Sequence, residues 1–124
     1  MAISTKGFLL QKGTSLLLRS EIWDRKYFVL SEFFLCSYES KKVYDANPMA
    51  YSKRPISLIG MNFHYIPKTN RLIIEPVQDN DLRERCTFQV ETAEDYPEWK
   101  RSLESACLWA NYEIADQDNF TVIK

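Results

Sequence analysis

One histidine, three glycines and three cysteines leave this 124-residue chain little material for catalysis or for cross-linking. His64 has no matched Cys, Ser or carboxylate motif around it, so no nucleophile–base pair suggests itself and an enzyme is not expected. The few glycines form no phosphate-cradling loop. Cys36, Cys86 and Cys107 are widely spaced and odd in number, with no C-x-x-C pair. That argues against a disulfide framework and against a zinc site, and for a reducing compartment. There is no run of about 18 apolar residues, and the opening MAISTKGFLL is too short an apolar stretch for a signal peptide. An excess of either charge is missing too: 16 Lys and Arg face 17 Asp and Glu, for a net charge of −1. Nucleic acid is therefore not an expected partner, and attraction to any anion must come from local clustering. Neither a cofactor nor a metal is called for.

What the chain does have is 45% hydrophobic and 14% aromatic residues, in a pattern that changes period once. Lys6–Lys12 is a short apolar run. Arg25–Glu32 is rich in aromatic and β-branched residues, and Phe33–Ser40 follows at once, so the two read as a hairpin. A polar stretch over residues 41–55, punctuated by Asn47-Pro48 and Arg54-Pro55, reads as a loop. Ile56–Gly60, Asn62–Ile66 and Arg71–Pro76 then read as strands, with Pro67–Asn70 a tight connection between the last two. Residues 77–85 read as a charged loop, and Cys86–Glu91 as a final strand.

After that the spacing becomes helical. Tyr96, Trp99, Leu103, Ala106, Cys107 and Ala110 fall on one face, and Asp95 with Glu98 forms a capping-box pattern that keeps Pro97 in the first turn. Thr92 is the competing N-cap. The expected fold is mostly β with one α-helix: seven antiparallel strands in two near-orthogonal sheets, forming a half-open barrel capped by the C-terminal helix. Residues 6–112 make the domain, and 113–124 a tail that either frays or docks on the barrel.

That order resembles a pleckstrin homology (PH) domain. Gly7-Phe8-Leu9 is similar to the family's opening G-x-L, and WDRKYFVL, Trp23–Leu30, to its W-K-x-R-W-F-V-L stretch. Leu35 and Tyr38 fit the end of its third strand. Trp99 falls where the family keeps a nearly constant tryptophan in the C-terminal helix. The resemblance implies a non-catalytic module, often a binder of phosphoinositide headgroups. The family's headgroup site implies Tyr38 and Arg54 here, and a basic residue at Lys26. Two of its cation positions are occupied by Gln11 and Asp24 instead, so tight inositol-specific recognition is not expected.

Alternation along a strand puts Lys26 on the inner face with Phe28 and Leu30, and Lys12 and Arg25 on the outer face. Two anion sites follow: an inner one of Lys26, Tyr38 and Arg54, and an outer one of Lys12 and Arg25, approached by Lys68 and Arg71. Leu16, Leu17 and Leu18, flanked by Lys12 and Arg19, read either as a membrane-inserting wedge with cations at its base or as strand residues folded onto the core. Burying one leucine in the acyl region is worth about 1.5–3 kcal/mol, and each nearby cation about 1 kcal/mol more on an anionic leaflet. The expectation is a cytoplasmic, peripherally membrane-associated domain that binds an anionic phospholipid. Phosphatidic acid stands beside the phosphoinositides as a candidate headgroup. A protein-interaction module of the same fold is the alternative.

Overall fold

A computed structural model describes residues 4–15 and 20–123. Strands β1 (Ser4–Ser15) and β2 (Ser20–Ser31) pair antiparallel along their whole length, from Ser4 opposite Ser31 to Ser15 opposite Ser20. β3 (Phe34–Tyr38) returns along β2, and β4 (Ile56–Ser57) makes a two-residue edge on β3. β5 (Met61–Ile66), β6 (Arg71–Pro76) and β7 (Cys86–Val90) form an antiparallel meander. A 28-residue helix, here α2 (Tyr96–Ile123), closes the chain.

The expected pair of sheets is hydrogen-bonded into one. β1 is long enough to serve both halves: it pairs with β2 throughout and, at Leu9–Gln11, with Phe88–Val90 of β7. The strand order is therefore β4-β3-β2-β1-β7-β6-β5, with β4 and β5 at the two edges.

Period-two alternation sorts the side chains as anticipated. Leu9, Phe28, Leu30, Leu35, Leu72, Ile74, Phe88 and Val90 point inward, where Tyr96, Trp99, Leu103, Ala106 and Cys107 of α2 cover them. Phe28 and Phe88 meet edge to face at 5.3 Å. The close seat of α2 depends on a missing side chain, because a Cβ on Gly7 would sit 3.3 Å from the Trp99 indole nitrogen. Asp95 takes the N-cap position: its carbonyl accepts the Trp99 N–H, and its carboxylate accepts the Thr92 hydroxyl at 2.9 Å. Pro97 thus lies in the first turn, where its lack of an N–H costs nothing. The helix runs on to Ile123, so α2 includes residues 113–123.

Two elements depart from the sequence reading. The polar stretch contains a short helix, α1 (Lys41–Ala46), started by Ser40, whose hydroxyl accepts the Val43 N–H. A helix of six residues is too short to show a period, and its reason for forming is tertiary: Tyr44 packs on Tyr27 and Tyr38. The fourth strand shrinks to two residues, because Leu58 turns inward and Gly60 takes a left-handed φ of 76°.

Candidate functional site

The inner site does not assemble. Lys26 does lie on the inner face, opposite Leu9, and its side chain is only 13% exposed. Its ammonium, however, donates to the Glu39 carboxylate at 3.0 Å, and the Ser52 hydroxyl donates to the same oxygen at 2.7 Å. These two hydrogen bonds, Ser52 first, hold the Glu39 carboxyl below its usual range.

Tyr38 is on the wrong face for the expected role. It pairs with Tyr27, joins the outer aromatic cluster with Tyr27, Val29 and Cys36, and is 2% exposed. Its hydroxyl donates to the Pro48 carbonyl at 2.7 Å. Burial pushes its pKa up to about 12.

Arg54 is also displaced from the expected set. It lines a separate outer cavity of about 650 Å³ with Glu32, Phe34, Cys36, Tyr51 and Pro55. Residues 50–55 run beside β3, with the Ser52 N–H on the Ser37 carbonyl, and carry Arg54 along the outer side of the hairpin.

The outer face holds the remaining candidates. Lys12 and Trp23 are register partners across β1 and β2. The Lys12 ammonium contacts Glu21 at 2.9 Å, and that hydrogen bond is the main cause of the depressed Glu21 pKa, with a smaller contribution from Arg71. The Arg71 guanidinium lies over the Trp23 ring at 5.1 Å, and its buried Nε has no hydrogen-bond partner among the described residues. Arg25 stacks on Phe8 at 3.9 Å and pairs with Glu91 at 2.6 Å. Lys68 sits in the 3-10 turn that precedes β6.

Between the end of the β1–β2 hairpin and the β6–β7 connection opens a cavity of about 560 Å³, lined by Lys12, Gly13, Glu84, Arg85 and Thr87. Its floor follows from register. Gln11 pairs with Phe88, which sets Lys12 beside Thr87 on the outward-facing positions of adjacent strands. Leu16, Leu17, Leu18 and Arg19 lie outside the described residues.

A PH domain family model matches residues 3–108. The chain belongs to the PH domain family. Solved PH domains share the fold at low identity. The PH domain of human oxysterol binding protein-related protein 11 is 15% identical with a TM-score of 0.67, the match covering 90% of this chain and 85% of that one. The C-terminal PH domain of pleckstrin, solved with D-myo-Ins(1,2,3,4,5)P5, is 21% identical with a TM-score of 0.60, covering 86% and 98%. The Slm1 PH domain, described as binding ligand outside the usual site, is 17% identical with a TM-score of 0.58, covering 83% and 95%. A search of curated proteins finds no match.

In this PH domain Lys12, Arg25 and Lys26 each meet a carboxylate of the same chain. Sequence reasoning did not find Arg85. It lies in the charged loop of residues 77–85, and the signal that places it is the β1–β7 register, a long-range pairing. No helix among the described residues is long and apolar enough to cross a membrane.

Proposed function

We propose that this PH domain is a non-catalytic module that brings its protein to an anionic membrane, holding a phospholipid headgroup on the outer side of the hairpin. The observation that carries the reading is the cavity that Lys12, Gly13 and Arg85 line together. Lys12 and Arg85 bring two cations to a polar cleft that Glu84 also lines, Arg85 lying 3.8 Å from Glu75, and Gly13, within β1, adds no side-chain bulk there. Lys12 is a point charge without the bidentate reach of an arginine, and it must exchange Glu21 for the ligand. Recognition is therefore of moderate affinity and dominated by charge, which keeps phosphatidic acid a candidate beside the phosphoinositides. Ligands of related PH domains support the class: pleckstrin's C-terminal PH domain holds an inositol phosphate, and the Slm1 domain binds outside the usual site. Leu16–Leu18 are assigned to insertion, with Arg19 at their base.

Liposome co-sedimentation at physiological salt tests this. Neutral vesicles are compared with vesicles carrying phosphatidic acid, phosphatidylserine or each phosphoinositide. The expected result is pelleting on anionic vesicles, lost in a Lys12→Ala/Arg85→Ala double variant and largely kept in Lys26→Ala. No pelleting on any lipid overturns the membrane reading. Loss only with Lys26→Ala moves the site back to the inner face.

A protein-interaction reading has one specific support. β5 is a sheet edge, and a groove of about 190 Å³ runs between it and α2, lined by Met61, Phe63, Cys107 and Leu108 among others. An extended peptide adds to such an edge through main-chain hydrogen bonds. Salt separates the two readings, because lipid binding led by charge weakens steeply as ionic strength rises.

A further inference from the structure

We propose that the outer cavity at Arg54 is a second binding site, for a small zwitterion that joins an N-methylated ammonium to an anionic group, as phosphocholine does. None of its lining residues belongs to the cavity at Lys12, so it is independent of the membrane reading. Register explains why there is a cavity. Leu35 pairs with Ile56, so a continued β3–β4 ladder would set Arg54 opposite Ser37. The Ser37 carbonyl instead accepts the N–H of Ser52 at 2.7 Å. Two extra residues are thus taken up opposite Cys36, and Pro55, which has no N–H, cannot draw the segment back onto β3. The chain arches away and leaves about 650 Å³ beside Cys36, within the range of small-molecule sites. The cavity lies at the Ser31 end of β2, about 26 Å along the strand from Trp23, the register partner of Lys12.

Charge and wall chemistry define the occupant. Glu32 and Arg54 both line the cavity, and neither forms an ion pair among the described residues. One charge of each sign is therefore left for a ligand. Glu32 repels a simple anion and Arg54 a simple cation, whereas a zwitterion satisfies both. Two exposed rings line the same space, Phe34 at 46% and Tyr51 at 38% exposure. Tyr51 is held in place, its ring tilted on Tyr38 at 5.8 Å and its hydroxyl on the Met49 sulfur at 3.5 Å. Cys36, on the same face of β3 as Phe34, stays a neutral thiol because burial pushes its pKa up. Aromatic faces beside a carboxylate attract an ammonium. An N-methylated one asks for no hydrogen-bond acceptor, which the side chains of Phe34 and Pro55 do not offer. Glu32 carries an independent mark. Its φ is 53°, a left-handed conformation that disfavours any residue with a Cβ. Glycine would hold the β2–β3 turn more easily, so strain is kept at a residue whose carboxylate faces a ligand site.

The experiment titrates the full, isotope-labelled chain with phosphocholine and follows the amide chemical shifts. Saturable shifts are expected at Glu32, Phe34, Cys36 and Arg54. Inorganic phosphate and choline, each alone, are expected to bind about 10-fold more weakly. Glu32→Gly removes the carboxylate and relieves the backbone, so it is expected to weaken phosphocholine about 10-fold while raising the thermal midpoint. Arg54→Gln is expected to weaken it by about the same factor with an unchanged midpoint. Phosphatidylcholine vesicles separate the two sources of the group. Binding of the soluble compound without pelleting assigns a soluble ester, and pelleting that Glu32→Gly abolishes assigns a lipid headgroup. Phosphate binding as tightly as phosphocholine would make this a simple anion site and overturn the assignment. So would shifts confined to Lys12, Gly13 and Arg85, shifts that never saturate, or a Glu32→Gly variant that binds as the wild type does. None of these outcomes touches the membrane reading, which anionic vesicles test on their own.

Discussion

Lys26 and Glu39 form a 3.0 Å ion pair in which the lysine is largely covered and the carboxylate largely exposed. The cation best placed on the inner face is thereby neutralised from within the chain. Removing the negative partner reverses that.

Glu39→Gln keeps an acceptor for Ser52 and releases a full positive charge beside the inner face. One cation freed near an anionic surface is worth about 1 kcal/mol, or roughly fivefold in affinity. Glu39→Gln is expected to bind anionic vesicles more tightly than the wild-type chain in a co-sedimentation titration. Unchanged or weaker binding would show that Lys26 is remote from the bilayer.

Tyr38→Phe separates a structural tyrosine from a ligand-binding one. The hydroxyl is committed to the Pro48 carbonyl, so its loss is expected to cost about 0.5–1.5 kcal/mol of stability in urea denaturation. Vesicle binding is expected to stay the same. A large loss of binding at equal stability would return Tyr38 to the site.

Gly60→Ala acts on the base of the β6–β7 connection. Gly60 has φ 76°, and a Cβ there would lie 3.0 Å from Arg83 Nη2. An alanine forced into that region costs about 1–2 kcal/mol, and it also crowds the guanidinium that pins Asp81 and Ile59. The expected outcome is a lower denaturation midpoint and faster amide exchange around residues 77–85. A midpoint within error of wild type would contradict the described backbone at Gly60.

Acid stability has a defined window. Arg83 holds the Asp81 carboxyl down at about 2, and hydrogen bonds from Lys12 and Ser52 keep Glu21 and Glu39 below their ordinary value of 4.5. Carboxyls depressed on folding add stability above their unfolded pKa, and that stability is lost as pH falls through the folded values. The thermal midpoint is therefore expected to hold from pH 7 to about 5 and to decline from about 4 toward 2. Asp81→Asn is expected to flatten the lowest part of the decline. A midpoint unchanged down to pH 2 would mean that these ion pairs do not stabilise the fold.

Much of the fold was written locally. Alternation in RKYFVL sorted Phe28 and Leu30 inward and Tyr27 and Val29 outward, and the helical spacing from Tyr96 to Ala110 marked the face that is now buried. Both signals need only the few residues around them, because a strand has a period of two and a helix of 3.6. The order of those elements, with Trp99 in the helix, was enough to suggest the family. The site was less legible. Whether a lysine is free or bound to a glutamate, as Lys26 is to Glu39, depends on which strands lie side by side. The face of Tyr38 was set by its register with Tyr27, and the place of Arg54 by the Ser52 N–H on the Ser37 carbonyl, which lays residues 50–55 beside β3. Arg85 and Lys12 line one cavity only through the pairing of β1 with β7. Periodicity along the chain thus determined the elements and the core. Contacts between distant segments, which no local pattern encodes, decided which charges face one another and which of them line the cavity at Lys12.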